Sequence, residues 1–132
     1  MNSVCTEEEI RQMVGDFYAK VRRDEQLGPI FNSRIDDWDH HLAKLSDFWS
    51  SLLRGTTRFS GSPMTKHIAL PDLSAALFER WLQLFHETTQ TLPNREMAER
   101  ADMMARRIAR SLWLGYQTSH RPEALAEDLA LR

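Results

Sequence analysis

Residues 38–55 read WDHHLAKLSDFWSSLLRG, and this stretch decides the fold class. Trp38, His41, Leu42, Leu45, Phe48, Trp49 and Leu52 recur at helical spacing, so one face of an α-helix is apolar. Asp36 or Asp37 can cap the first turn by accepting an orphan backbone amide. Gly55 can take the left-handed geometry that ends helices. The stripe holds one anomaly. His41 lies inside it, whereas its neighbour His40 turns about 100° away, toward solvent. A polar tip in a stripe destined for the interior needs a partner there.

Similar stripes flank this helix. Thr6 followed by Glu9 forms a capping box, and Ile10, Met13, Val14, Phe17, Tyr18 and Val21 then recur at helical spacing until about Asp24. Gly28-Pro29 reads as a break, with Ile30-Phe31 as a short apolar piece after it. Beyond Gly55, residues 56–66 contain Gly61, Pro63 and several hydroxyl residues and read as a loop, followed by His67-Ile68-Ala69-Leu70-Pro71. Asp72 is the expected cap of a third helix with Leu73, Leu77, Phe78, Trp81, Leu84, Phe85 and Thr88 on one side. Pro93-Asn94 separates it from a fourth, striped by Met97, Ala101, Met104, Ile108 and Leu112. No segment alternates with period two, so the chain is all-α, with four main helices and one long irregular connection. The expected organisation is one domain over 1–118 and a flexible tail over 119–132.

Composition narrows the functions. The chain has 132 residues and a formal net charge of −2, which gives no electrostatic footing for nucleic acid or an anionic membrane. The N-terminus has neither the basic start nor the apolar run of a secretory signal, and no apolar run is long enough to span a bilayer. A cytoplasmic location is the default expectation, and a monomer is expected because no apolar stripe is left over. Cys5 is the single cysteine, which excludes an internal disulfide and a zinc-finger ligand set. Phosphate-loop, dinucleotide and HExxH patterns are absent. Chemistry must therefore come from scattered His, Tyr, Trp and carboxylate groups, or from a cofactor.

Three polar-tipped residues stand in the stripes: Tyr18, His41 and Trp81. If the stripes face a common interior, their tips converge and can satisfy a small polar ligand. Singly, each has a plain explanation as a packed tyrosine, a satisfied histidine or a buried indole. His67 differs, standing outside the stripes just before a Leu-Pro break. Neutral imidazole is a common metal ligand, although a histidine in such a place is also commonly an exposed loop residue. His86 and His120 read as surface residues.

Taken together, DFYAKVRRDEQLGPIF, WDHHLAKLSDFW, TKHIALP and FERWLQLF resemble the truncated haemoglobins, and among them most nearly group III. The resemblance spans about residues 7 to 117, and its specificity lies in the order and spacing of the pieces. It implies a two-over-two helical globin around haem b. It also implies His67 as the axial metal ligand, and Tyr18, His41, Trp81 and Phe17 as the distal, ligand-binding residues. Phe31, Leu45, Phe48, Leu70 and Trp81 would line the cofactor, with Lys44 and Lys66, and also Arg58, as candidates for its propionates. The chain lacks Gly-Gly, as group III proteins do, and its tail after His120 has no clear counterpart.

The function implied is binding of O2, with NO and CO as further ligands. The alternative is redox catalysis at the same haem, either NO dioxygenation or a peroxidase-like reaction. That would require an external reductase as partner, and no catalytic residue can be named for it. A third reading, a cofactor-free helical interaction domain, predicts a colourless protein.

Overall fold

The computed structural model describes residues 4–59, 73–120 and 126–129, and carries five α-helices and no strand among them. Helix α1, Glu7–Arg23, starts at the capping box. The Thr6 hydroxyl accepts the Glu9 amide at 3.1 Å, and the Glu9 carboxylate accepts the Thr6 amide at 3.0 Å. Its six stripe residues, Ile10 to Val21, are each exposed by 4 % or less. At about 1.5–3 kcal/mol for each large apolar side chain buried, this stripe makes α1 the centre of the molecule. It packs against α2, α3 and α4.

The expected break at Gly28-Pro29 is instead the start of a short helix, α2, Gly28–Arg34. Proline fits there because the first turn has no use for its missing N–H. Glycine is required for a different reason: a Cβ at residue 28 would lie 2.8 Å from the Arg22 carbonyl oxygen. Asp24 holds this elbow. Its Oδ2 accepts the Gln26 and Leu27 amides at 3.1 and 3.0 Å. Its Oδ1 accepts Arg80 Nε at 2.8 Å and Nη2 at 2.6 Å, tying the elbow to α4.

Helix α3, Trp38–Arg54, is capped by Asp37, which accepts the His40 amide at 3.1 Å. It ends at Gly55, whose φ is 69°. Helix α4, Ala75–Thr89, is capped by Ser74 and not by Asp72. The backbone is still extended at Ser74, whose hydroxyl accepts the Leu77 amide, so the helical run begins later than expected. Asp72 itself lies outside the described residues. Helix α5, Arg95–His120, passes the domain end expected at residue 118. Beyond it, the Gln117 side chain accepts the Glu127 amide at 2.9 Å and donates to the Glu127 carbonyl at 2.8 Å. Leu129 is buried.

The helices pair as α1 with α3 and α4 with α5, and the pairs are joined by contacts of α1 with α4 and of α3 with α5. That is a two-over-two arrangement. Among the described residues no helix is long and apolar enough to cross a membrane.

Candidate functional site

The stripes of α1 and α3 are alike in sequence but not in burial. All of the α1 stripe is buried, whereas on α3 only Trp49 joins it, together with Ser50 and Leu53. Trp38, Leu42, Leu45, Phe48 and Leu52 pack against the core yet stay half-buried. Trp81 and Ile108, from α4 and α5, are half-buried too, and they touch both of the molecule's apolar clusters. Apolar area left partly open in this way costs free energy that a flat apolar partner would recover.

The polar tips gather beside this face. Tyr18 is 4 % exposed. The His41 ring lies 6.1 Å from the Tyr18 ring, edge-on, and Trp38 completes a triangle at 5.6 Å from His41 and 6.2 Å from Tyr18. Phe17 and Phe31 pack on Tyr18 at 4.7 and 5.8 Å. Phe17 also meets Trp81 edge-on at 5.2 Å. Burial pushes the Tyr18 hydroxyl's pKa well above its ordinary value, and a hydrogen-bonding interaction with Trp81 pulls the other way only in part. The phenol therefore keeps its proton and remains a donor.

Of the residues singled out in the sequence, Tyr18, His41, Trp81, Phe17 and Phe31 thus share one neighbourhood drawn from four helices. Leu45 and Phe48 lie on the half-buried face of α3, and Lys44 is exposed on the same helix. Lys66, His67 and Leu70 lie outside the described residues. Arg58 is turned toward α1, with Nε 3.9 Å from the Glu7 carboxylate. That carboxylate also accepts Ser50 Oγ at 2.7 Å and an Arg54 guanidinium N–H. Burial alone would raise the Glu7 pKa, but the Ser50 and Arg54 hydrogen bonds outweigh it, and the carboxyl sits below its usual range.

Trp38 was legible only as a stripe residue. Its position one helical turn before His41 was the available signal for a site role. It also carries the Arg22 guanidinium 4.5 Å above its ring. A groove between α4 and α5, lined by Arg80, Gln83, His86, Asp102 and Arg106 among others, contains none of the sequence-predicted residues. His86 is exposed and bonded to Asp102 through Nδ1 at 3.0 Å. His120 is exposed against Tyr116.

The chemistry of this neighbourhood fits a flat, largely apolar cofactor that presents a small ligand to neutral donors. The half-buried residues of α3, α4 and α5 offer the apolar walls, and Tyr18 and Trp81 supply O–H and N–H groups in a desolvated setting.

Comparison with known proteins identifies the family and the fold over most of the chain. The family model described as bacterial-like globin matches residues 2–111. The group 3 truncated hemoglobin ctb of Campylobacter jejuni is 38 % identical over 115 residues, covering 81 % of this chain and 91 % of that protein. The crystal structure of a group III truncated hemoglobin from Campylobacter jejuni superposes with a TM-score of 0.80 at 34 % identity, covering 92 % of this chain and 96 % of the other.

Proposed function

The chain belongs to the bacterial-like globins, within the group III truncated haemoglobins, and from that premise we propose that it holds haem b on His67 and binds O2 beside Tyr18, His41 and Trp81. As a globin it is a haem protein of the kind that takes diatomic gases. The observation supporting this reading is the half-buried apolar face of α3, bordered by three convergent polar tips.

Haem, were it held, would supply an iron able to bind a diatomic gas and leave that gas electron-rich. The chain's own residues do the rest. Tyr18 donates a hydrogen bond to the ligand, because burial keeps its hydroxyl protonated. In a low-dielectric pocket such a donor is worth more than in water. Trp81 is donor-only and offers no lone pair to repel an electron-rich ligand. Its one N–H also interacts with the Tyr18 hydroxyl, which couples the two tips. Phe17 and Phe31 pack on the Tyr18 ring and keep water from it. His41, half-buried between Trp38 and Tyr18, acts as the gate between solvent and pocket. Lys44 and Lys66 pair with the propionates, at the modest strength of exposed ion pairs.

The test is a spectrum. Purified protein should show an intense Soret band that survives gel filtration, and His67→Ala should lose pigment or change its ferrous spectrum. Pigment content and ferrous spectra that are the same in His67→Ala and the parent would refute the axial role.

A further inference from the structure

Arg22 stands one residue before the end of α1, and Trp38 is the first residue of α3. The guanidinium carbon of Arg22 lies 4.5 Å from the centroid of the Trp38 ring, over its face. A guanidinium so placed is drawn to the negative face of the indole, and the contact ties the two helices together at that end. The backbone from which Arg22 extends is pinned. Its carbonyl accepts Asn32 Nδ2 of α2 at 3.2 Å, and the same carbonyl oxygen is the atom that excludes a Cβ at residue 28. The Trp38 ring in turn meets His41 edge-on at 5.6 Å, one helical turn along α3, and lies 6.2 Å from Tyr18. Arg22 is exposed, whereas Trp38 and His41 are half-buried. A continuous series of contacts thus runs inward from a fixed backbone, through a cation and an indole, to the imidazole.

We propose that Arg22 is a positioning residue for the His41 gate, clamping Trp38 so that the indole walls the imidazole in against Tyr18. This rests on the reading of His41 as the gate to a haem pocket. For the imidazole to swing toward solvent, the ring beside it has to give way, and the cation seated on that ring opposes the movement. Arg22 touches neither haem nor gas in this account; it acts through Trp38 and His41. A gate sets how often the path is open, so it alters entry and escape of the ligand by the same factor. A lost donor changes release alone.

Arg22→Met keeps an unbranched stem and removes the cation. In the ferrous protein, CO association after flash photolysis and CO release should both accelerate about two- to fivefold, the worth of one exposed cation–π contact, with affinity for CO unchanged. Arg22→Lys retains a cation and should stay close to the parent. In a His41→Ala background, Arg22→Met should change neither rate, because the gate it acts on is gone. In the diamagnetic ferrous–CO protein, the His41 ring Hε1 resonance should shift in Arg22→Met, since the Trp38 ring current that it senses is no longer fixed. Amide resonances of Met13 and Phe17 should stay in place, which separates this effect from a general loosening of α1.

Unchanged CO rates in Arg22→Met overturn the proposal. Equal acceleration with and without His41 overturns it too, because the effect then bypasses the gate, and so does an unmoved His41 resonance. Acceleration of release alone also counts against it, as the mark of a lost donor. A parent protein with no Soret band refutes the haem reading instead. The His41 resonance of the protein as purified then still reports whether the Arg22 contact holds that ring, and an unmoved resonance there overturns the clamp as well.

Discussion

Removing the oxygen of Tyr18 tests the distal pocket with little collateral change. Tyr18→Phe keeps the ring contacts with Phe17, Phe31, Trp38 and His41, at 4.7 to 6.2 Å between centroids. What is lost is one donor on a residue that is 4 % exposed. A hydrogen bond to a group carrying charge is worth about 1.5–3 kcal/mol. Each ~1.4 kcal/mol is tenfold in rate, so O2 release should accelerate by roughly 10- to 150-fold. The assay is stopped-flow displacement of O2 by excess CO at pH 7. Trp81→Phe should also speed release. The double variant should fall short of the product of the single effects, because Trp81 interacts with the hydroxyl being removed. Release from the parent should stay level up to pH 10, since burial carries the Tyr18 pKa above its ordinary 10.0. If neither single variant changes the off-rate even threefold, the two residues are not the ligand's donors.

Gly28→Ala should destabilise the fold by about 1–3 kcal/mol in thermal melts, because the added methyl meets a backbone oxygen at 2.8 Å that cannot swing aside. Acid should destabilise through Glu7 and Asp24, both with lowered pKa values. For Asp24 the main cause is the hydrogen bond from Arg80. Each carboxyl binds its proton more weakly folded than unfolded, so its contribution is complete above the ordinary values of 4.5 and 3.8 and is lost as pH falls through the folded ones. Urea midpoints should therefore show no loss from these two groups between pH 7 and 5 and then drop toward pH 3. Glu7→Gln and Asp24→Asn should each lower the pH 7 midpoint and flatten that drop, and an unaltered slope would count against both assignments.

Periodicity and capping chemistry carried most of the fold. The Thr6–Glu9 box, the Asp37 cap and the Gly55 stop act locally, and each is where the residues alone place it. The short helix α2 was hidden because Gly28-Pro29 reads as punctuation. Only the packed structure shows that glycine there serves a close approach to Arg22 while proline opens a helix. The cap of α4 is Ser74 and not Asp72 because the backbone is still extended at Ser74, whose hydroxyl accepts the Leu77 amide. In the site, Tyr18, His41 and Trp81 stood out because polar tips in apolar stripes are conspicuous. Trp38 did not, because its significance lies in what it touches: a guanidinium and a histidine ring.

Trp81 touches both apolar clusters, stacked on Phe85 at 5.6 Å and edge-on to Phe17. If the proposed distal role holds, two separate demands fall on one indole: it fills the space where the helix pairs meet, and it aims its nitrogen. In a mutational library screened for solubility alone, this position should already be among the least permissive, before any gas is supplied. Engineering of ligand affinity would have more freedom at Tyr18, where a phenyl ring conserves the shape and gives up only the chemistry.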